Sequence, residues 1–361
     1  MAYTTIDDPS AHFTVKTYTG TGSTNAITND ANAGDFKPDW LWIKQRNTAR
    51  SHRLITSSFF STYLQSNTNG AEASNDVVNS LDTDGFTLSS PASVNQSSGT
   101  YVAWQWKCNG GTTSSNTDGS ITSTVQVNDT AGFSIVTYTG NETAGATIGH
   151  GLSAAPDVVI VKNRESAREW MIGHQAYVDG GNSENLRLNS TAVPASADDQ
   201  AGSGWHRTAF GSSVFTVGDG QDGDFTEGTN NGTDDHVAYC FREIQGYSKF
   251  GSYKGNGNAD GAFVYTGFRP AWIMVKLTSG SGEDWHMFDS FRSTSNVVKE
   301  RLIVNGSAAE NANDSILDFV SNGFKFRESN AGWNGNGNTY IYMAFAEHPF
   351  VSSKGVPVTA R

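Results

Sequence analysis

The densest group of potential ligands in this chain is Asp219-Gly220-Gln221-Asp222-Gly223-Asp224-Phe225-Thr226-Glu227. Closely spaced carboxylates on a glycine-rich turn can gather around calcium, which accepts many oxygen ligands at flexible geometry. Asp219, Asp222 and Asp224 are therefore the candidate ligands, and calcium is the one cofactor suggested. Their spacing departs from the EF-hand pattern, and a solvated acidic turn has the same composition. The eight histidines (His12, His52, His150, His174, His206, His236, His286 and His348) include no pair at zinc-ligand spacing. His52 and His286 fall at roughly matching places after similar strands, which favours packing over ligation. Neither Gly-x-Ser-x-Gly nor a glycine-rich loop ending in Lys-Ser/Thr occurs. Glu283-Asp284 could serve a glycosidase, but an acidic chain offers such pairs by chance. The Gly-Asn tracts at 255–258 and 335–338 read as hairpin turns. No catalytic residue is assigned, and the expectation is a protein that is not an enzyme.

Aromatic pairs are the other chemistry on offer. Trp40 and Trp42, then Trp104 and Trp106, are two residues apart and so share a strand face. Such pairs stack on sugar rings or fill a core, and the core is the expected use. Trp205 and Trp333 stand in glycine-rich stretches and are the better candidates for a partner surface.

The elements that would hold these residues recur three times. Lys37-Pro38-Asp39-Trp40-Leu41-Trp42-Ile43-Lys44 returns as Ala155-Pro156-Asp157-Val158-Val159-Ile160-Val161-Lys162 and as Arg269-Pro270-Ala271-Trp272-Ile273-Met274-Val275-Lys276. Tyr-x-Gly precedes each copy (Tyr18, Tyr138, Tyr253), and an aromatic strand closes each (101–106, 236–241, 340–345). A repeat of this length can bury its own core. Serine, threonine, asparagine and glycine around short aromatic and β-branched runs suit strands joined by tight turns. No segment keeps a helical period; residues 295–302 come nearest, with two turns at most. In the third copy seven strands are expected, at 247–253, 262–266, 272–277, 285–288, 302–304, 324–327 and 339–345. The fold class is all-β, three tandem antiparallel sandwiches of the jelly-roll kind. Trp272 to Val275 is apolar on both faces, as a strand covered on both sides must be. Ile43, Val161 and Val275 are equivalent and expected to be buried.

The boundaries follow: an arm at 1–12, repeats at 13–109, 132–244 and 246–350, a Gly/Ser/Thr linker at 110–131 and a tail at 351–361. Within the linker, 120–127 alternates like a strand. The arm is expected to order only on another protein or a symmetry copy, with Tyr3, Ile6 and Phe13 as its apolar anchors. The net charge of −12, from 36 acidic and 24 basic residues without basic clusters, argues against a nucleic-acid partner. The longest apolar run is five residues, too short to enter a membrane, and the N-terminal stretch lacks a signal peptide's pattern. Cys108 and Cys240 occupy non-equivalent places, so a bridge between them is not expected.

The third copy resembles a domain of unknown function that recurs in marine bacteriophage genomes, often in virion or tail-fibre proteins. The resemblance rests on residues 261–276, on Ser321-Asn322-Gly323-Phe324-Lys325 and on the closing stretch 339–350. It implies a structural protein of a tailed-phage virion, a multicopy or homo-oligomeric component of the tail, tail fibre or a surface appendage. Its partners would be other virion proteins and, in host attachment, a host surface glycan. A capsid decoration protein and a glycan-binding module are the alternatives.

Overall fold

Alternation along the three Pro-anchored strands sets the architecture. In Trp40–Gln45, Trp40 and Trp42 face one way while Leu41 and Ile43 face the other. In Val158–Asn163, Val158 and Ile160 oppose Val159 and Val161; in Phe268–Leu277, Trp272 and Met274 oppose Ile273 and Val275. The first set of each enters one common core. The second set enters three separate cores, one for each strand. Both faces are therefore covered, as the apolar run at 272–275 required. Ile43, Val161 and Val275 are each 0% exposed. Truncating any one to alanine is expected to cost about 2–4 kcal/mol in chemical unfolding; a loss below ~0.5 kcal/mol would contradict its place in the core.

The computed structural model describes residues 2–29, 36–175, 184–196, 210–218, 228–312 and 315–357. Its strands form antiparallel sheets, and the chain is all-β with a sandwich arrangement. One large sheet runs Phe13–Thr19, Thr100–Trp106, Trp40–Gln45, Arg53–Thr56, Thr62–Leu64, Ala73–Ser74. The same order recurs from Phe133–Thr139 through Asp235–Phe241, Val158–Asn163 and Met171–His174 to Glu184–Arg187. It recurs again from Ser248–Lys254 through Thr339–Pro349, Phe268–Leu277 and Trp285–Asp289 to Leu302–Ile303. A small sheet covers the outer face of each. These are Asn25–Ile27 with Gly85–Leu88 and Val78–Asp82, Thr147–Gly149 with Val214–Thr216, and Phe263–Tyr265 with Gly323–Phe326 and Leu317–Val320.

Several details differ from the expectations. Within 110–131 the alternation at 120–127 does form a strand, Ser123–Asn128, but Ser114–Asn116 pairs with it as well, so the stretch extends a large sheet beside Phe133–Thr139 instead of linking two repeats. The third copy gains a strand, Leu317–Val320, and residues 295–302 carry isolated bridges at Val298 and Arg301 in place of helical turns. Pro38 and Pro156 stand two residues before their strands, whereas Pro270 lies inside Phe268–Leu277. It sits where the register against Thr339–Pro349 shifts, a position that tolerates a missing N–H.

The Tyr-x-Gly signature has a physical cause that repeats. The Tyr18 hydroxyl donates to Val94 O (2.8 Å), Tyr138 to Thr229 O (2.5 Å) and Tyr253 to Trp333 O (2.7 Å). Each ring stacks at 5.0–5.1 Å on the ring beside it, Tyr101, His236 and Tyr340 respectively. Next to each acceptor stands a fully buried asparagine, Asn95, Asn230 or Asn334. Its amide oxygen accepts from the backbone N–H just after the glycine, at 2.8, 2.8 and 3.0 Å. A Cβ on Gly20, Gly140 or Gly255 would come within 2.2–2.6 Å of a carbonyl oxygen in that segment, so only glycine fits.

Candidate functional site

Ionisable groups concentrate where the three large sheets meet, and their positions repeat. The lysines that end the Pro-anchored runs, Lys44, Lys162 and Lys276, are all 0% exposed. Each ammonium donates to a carbonyl of a neighbouring repeat: Lys44 to Ser307 O (3.3 Å), Lys162 to Asn69 O (3.1 Å), Lys276 to Thr191 O (2.7 Å). A second carbonyl, of Gln45, Asn163 or Glu283, receives each as well. Burial lowers the three lysines to about 8, 7 and 8. Carbonyl dipoles satisfy the donors without supplying a full countercharge.

Residues at the start of the strand that follows each Pro-anchored strand complete the pattern: His52 and Trp170 just before it, and Trp285 as its first residue. His52 Nε2 donates to Ile303 O, Trp170 Nε1 to Gln65 O and Trp285 Nε1 to Arg187 O, each at 2.9 Å. The backbone N–H of the same residues donates to Asn67, Asn189 and Asn305. The contacts run cyclically, first repeat to third, second to first and third to second. Among the described residues, ion pairs reinforce the junctions of the second repeat with the first and of the first with the third. Arg164 meets Glu72 (2.8 Å), and Arg46 meets Glu310 (2.7 Å), which also binds Arg292 (2.8 Å). Arg292 in turn contacts Asp289 (2.6 Å), with neither side chain exposed.

This geometry revises the histidine correspondence. Val275 pairs with His286 where Ile43 pairs with Arg53 and Val161 with Met171. His52 thus corresponds to Trp170 and Trp285, and His286 to Arg53 and Met171. Sequence reading missed the junction residues, although a signal was present. Leu64-Gln65-Ser66-Asn67, Leu186-Arg187-Leu188-Asn189 and Leu302-Ile303-Val304-Asn305 share Leu-x-x-Asn and supply the acceptors.

Most of the candidate partner residues turn out to be internal. Ile6 is 3% exposed and Phe13 1%, both within the common core. The arm packs on its own chain. Thr4 Oγ1 donates to Gln245 O (2.8 Å), Tyr3 OH to Gly267 O (2.7 Å), and Ser353 N to Asp7 Oδ1 (2.6 Å). Trp333 is 0% exposed and packs edge-on against His286 at 5.0 Å, so it presents nothing to a partner. Its glycine-rich surroundings misled the reading, because those glycines admit the Asn334 cluster. Trp40, Trp42, Trp104 and Trp106 fill the common core. Asp219, Asp222, Asp224 and Trp205 lie outside the described residues. Cys108 and Cys240 are buried, free thiols, and burial pushes Cys240 up to about 12. Among the described residues, no helix is long and apolar enough to cross a membrane. The large apolar side chains left exposed there are Phe263 (49%), Tyr265 (53%) and Val356 (63%).

The model of one family, a domain of unknown function (DUF7483), matches residues 8–349. That span takes in all three repeats, so the family unit is the whole assembly of sheets rather than the last copy alone. No curated protein and no solved structure matches.

Proposed function

We propose that this chain, which belongs to the DUF7483 family, is a non-enzymatic structural component of a tailed-phage virion, part of the tail, tail fibre or a surface appendage. The observation that carries the reading is the cyclic set of junctions. Lys44, Lys162 and Lys276 spend their charge on backbone carbonyls between repeats, as do the ring N–H groups of His52, Trp170 and Trp285. Chemistry on a substrate needs such groups at an open surface; here they tie one sheet to the next. A single chain with threefold internal order can seat on a threefold axis or cap a trimer, where a lone sandwich would need three copies. The resemblance of residues 261–350 to virion and tail-fibre domains supplies the setting. Other virion proteins are the proposed partners, with the chain itself multicopy on the particle.

Mass spectrometry of gradient-purified particles, followed by gold labelling in electron micrographs, tests this. The expected result is the chain at a fixed stoichiometry and one site on the particle. Its absence from purified particles would reject the reading.

A further inference from the structure

The repeats supply an internal control for each surface residue, and one exposed pair fails to match its counterparts. In the three small sheets Val264, Ile27 and Ile148 pair with Phe324, Phe86 and Phe215 and point inward. Their flanking residues lie on the opposite face. In the first copy these are Ala26 and Thr28, both exposed; in the second they are Thr147, half-buried, and Gly149, buried against Asn116. In the third they are Phe263 and Tyr265, exposed by 49% and 53%. The fold therefore needs no aromatic ring at either place, and exposing two costs solubility that the other copies avoid.

We propose that Phe263 and Tyr265 form a stacking platform for a pyranose-containing glycan, a site that goes beyond the structural role above. Two residues apart on one strand, the rings lie ~7 Å from each other on one face. Gly323 pairs with Tyr265 and adds no side chain to cover its ring. Lys325, paired with Phe263, is held by Asp260 at 2.5 Å, and Asp318, paired with Lys325, is held by Arg327 at 2.9 Å. A row of fixed donors and acceptors thus runs beside the rings. The Tyr265 hydroxyl has Tyr3 OH 3.4 Å away, and Tyr3 is anchored on Gly267 O. That fixes the end of the strip.

Size and polarity select a sugar over a protein. Half-exposed rings of this size offer on the order of 100 Å² each. One side of a standard protein interface needs about 800 Å², with charged residues depleted from its centre. Here charged pairs border the rings directly. A sugar ring has the matching properties, an apolar C–H face about one aromatic ring wide and hydroxyls at its rim.

The test uses the full chain against an array of bacterial O-antigen, capsular and exopolysaccharide fragments, with hits titrated by ligand-observed NMR. Wild type is expected to bind at least one fragment, and F263A/Y265A to weaken it tenfold or more at an unchanged unfolding midpoint. F263Y should keep binding, because the ring remains. No binding by the wild type, or equal binding by the double variant, overturns the proposal. So does a double variant that loses only a protein contact on the particle. The array is read in solution, so its outcome is independent of whether the chain is found in virions.

Discussion

Trp106→Ala is expected to destabilise the protein by about 3–5 kcal/mol and to shift one cooperative unfolding transition rather than split it. The Trp106 ring lies 4.6 Å from Trp40, 4.8 Å from Phe13, 5.8 Å from Trp272 and 5.7 Å from Phe345. It therefore joins the first repeat to the third. Trp40 continues the contact into the second, 4.3 Å from Tyr239. Removing the indole opens a cavity where three sheets meet, and none can close it without moving against the other two. Sandwiches strung on a linker would melt separately, with the mutant loss confined to residues before about 110. In a shared core the loss falls on all three sheets. Urea unfolding followed by hydrogen exchange distinguishes the two. Early exchange confined to the first repeat would show that the common core does not couple the sheets.

That coupling was the part of the fold least legible in the sequence. The Pro-anchored runs, their twofold alternation and the burial of Ile43, Val161 and Val275 could be read directly, because strand geometry is local. An apolar strand on both faces says that something covers each side, but not what does. For Trp40 and Trp42 the covering is another repeat, a long-range contact that periodicity does not encode. The junction lysines end the repeated motif, yet their type argues against a buried role, since Lys is seldom fully buried. Their partners are backbone carbonyls, which leave no mark in side-chain identity. The same holds for Trp333. A tryptophan among glycines reads as exposed until Asn334 is seen to need the space. Leu-x-x-Asn was visible three times but is too short to stand out without the contacts that give it meaning.

Stability is expected to fall steeply between pH 6.5 and 4.5 and to peak near pH 10, alkaline of the usual optimum. His52 and His286 are lowered by burial to about 3, and His174 and His236 to about 4. Two of them have hydrogen bonds that explain why protonation is resisted. His52 Nδ1 accepts from Trp42 Nε1 (2.8 Å) while its Nε2 donates to Ile303 O, so both nitrogens are committed in the neutral ring. His236 Nδ1 donates to Asp234 O (2.8 Å) and its Nε2 faces the Asn163 amide (3.4 Å). Below pH 6.5 the unfolded chain takes up protons that the folded chain refuses, so unfolding gains free energy as pH falls. At ~1.4 kcal/mol per pH unit and per group, four such histidines withdraw on the order of 8 kcal/mol by pH 5, comparable to the whole stability of a typical domain. The lysines extend the trend upward. With folded values of about 7–8 against an ordinary 10.5, the unfolded chain again holds more protons, and stability rises from pH 7 toward 10. Buried tyrosines such as Tyr239 and Tyr247, raised by burial, reverse the sign above pH 10, where the unfolded chain ionises first. Repulsion within the net charge of −12 opposes the alkaline gain, so the measurement belongs at 0.15 M salt or above, roughly where the Debye length falls to ~8 Å. Urea midpoints from pH 4.5 to 10.5 give the profile. His286→Phe, which keeps a ring against Trp333, should remove about one proton's worth of slope below pH 6.5. A maximum at pH 5–7, or an unchanged acid slope in that variant, would mean that these buried bases accept protons in the folded chain.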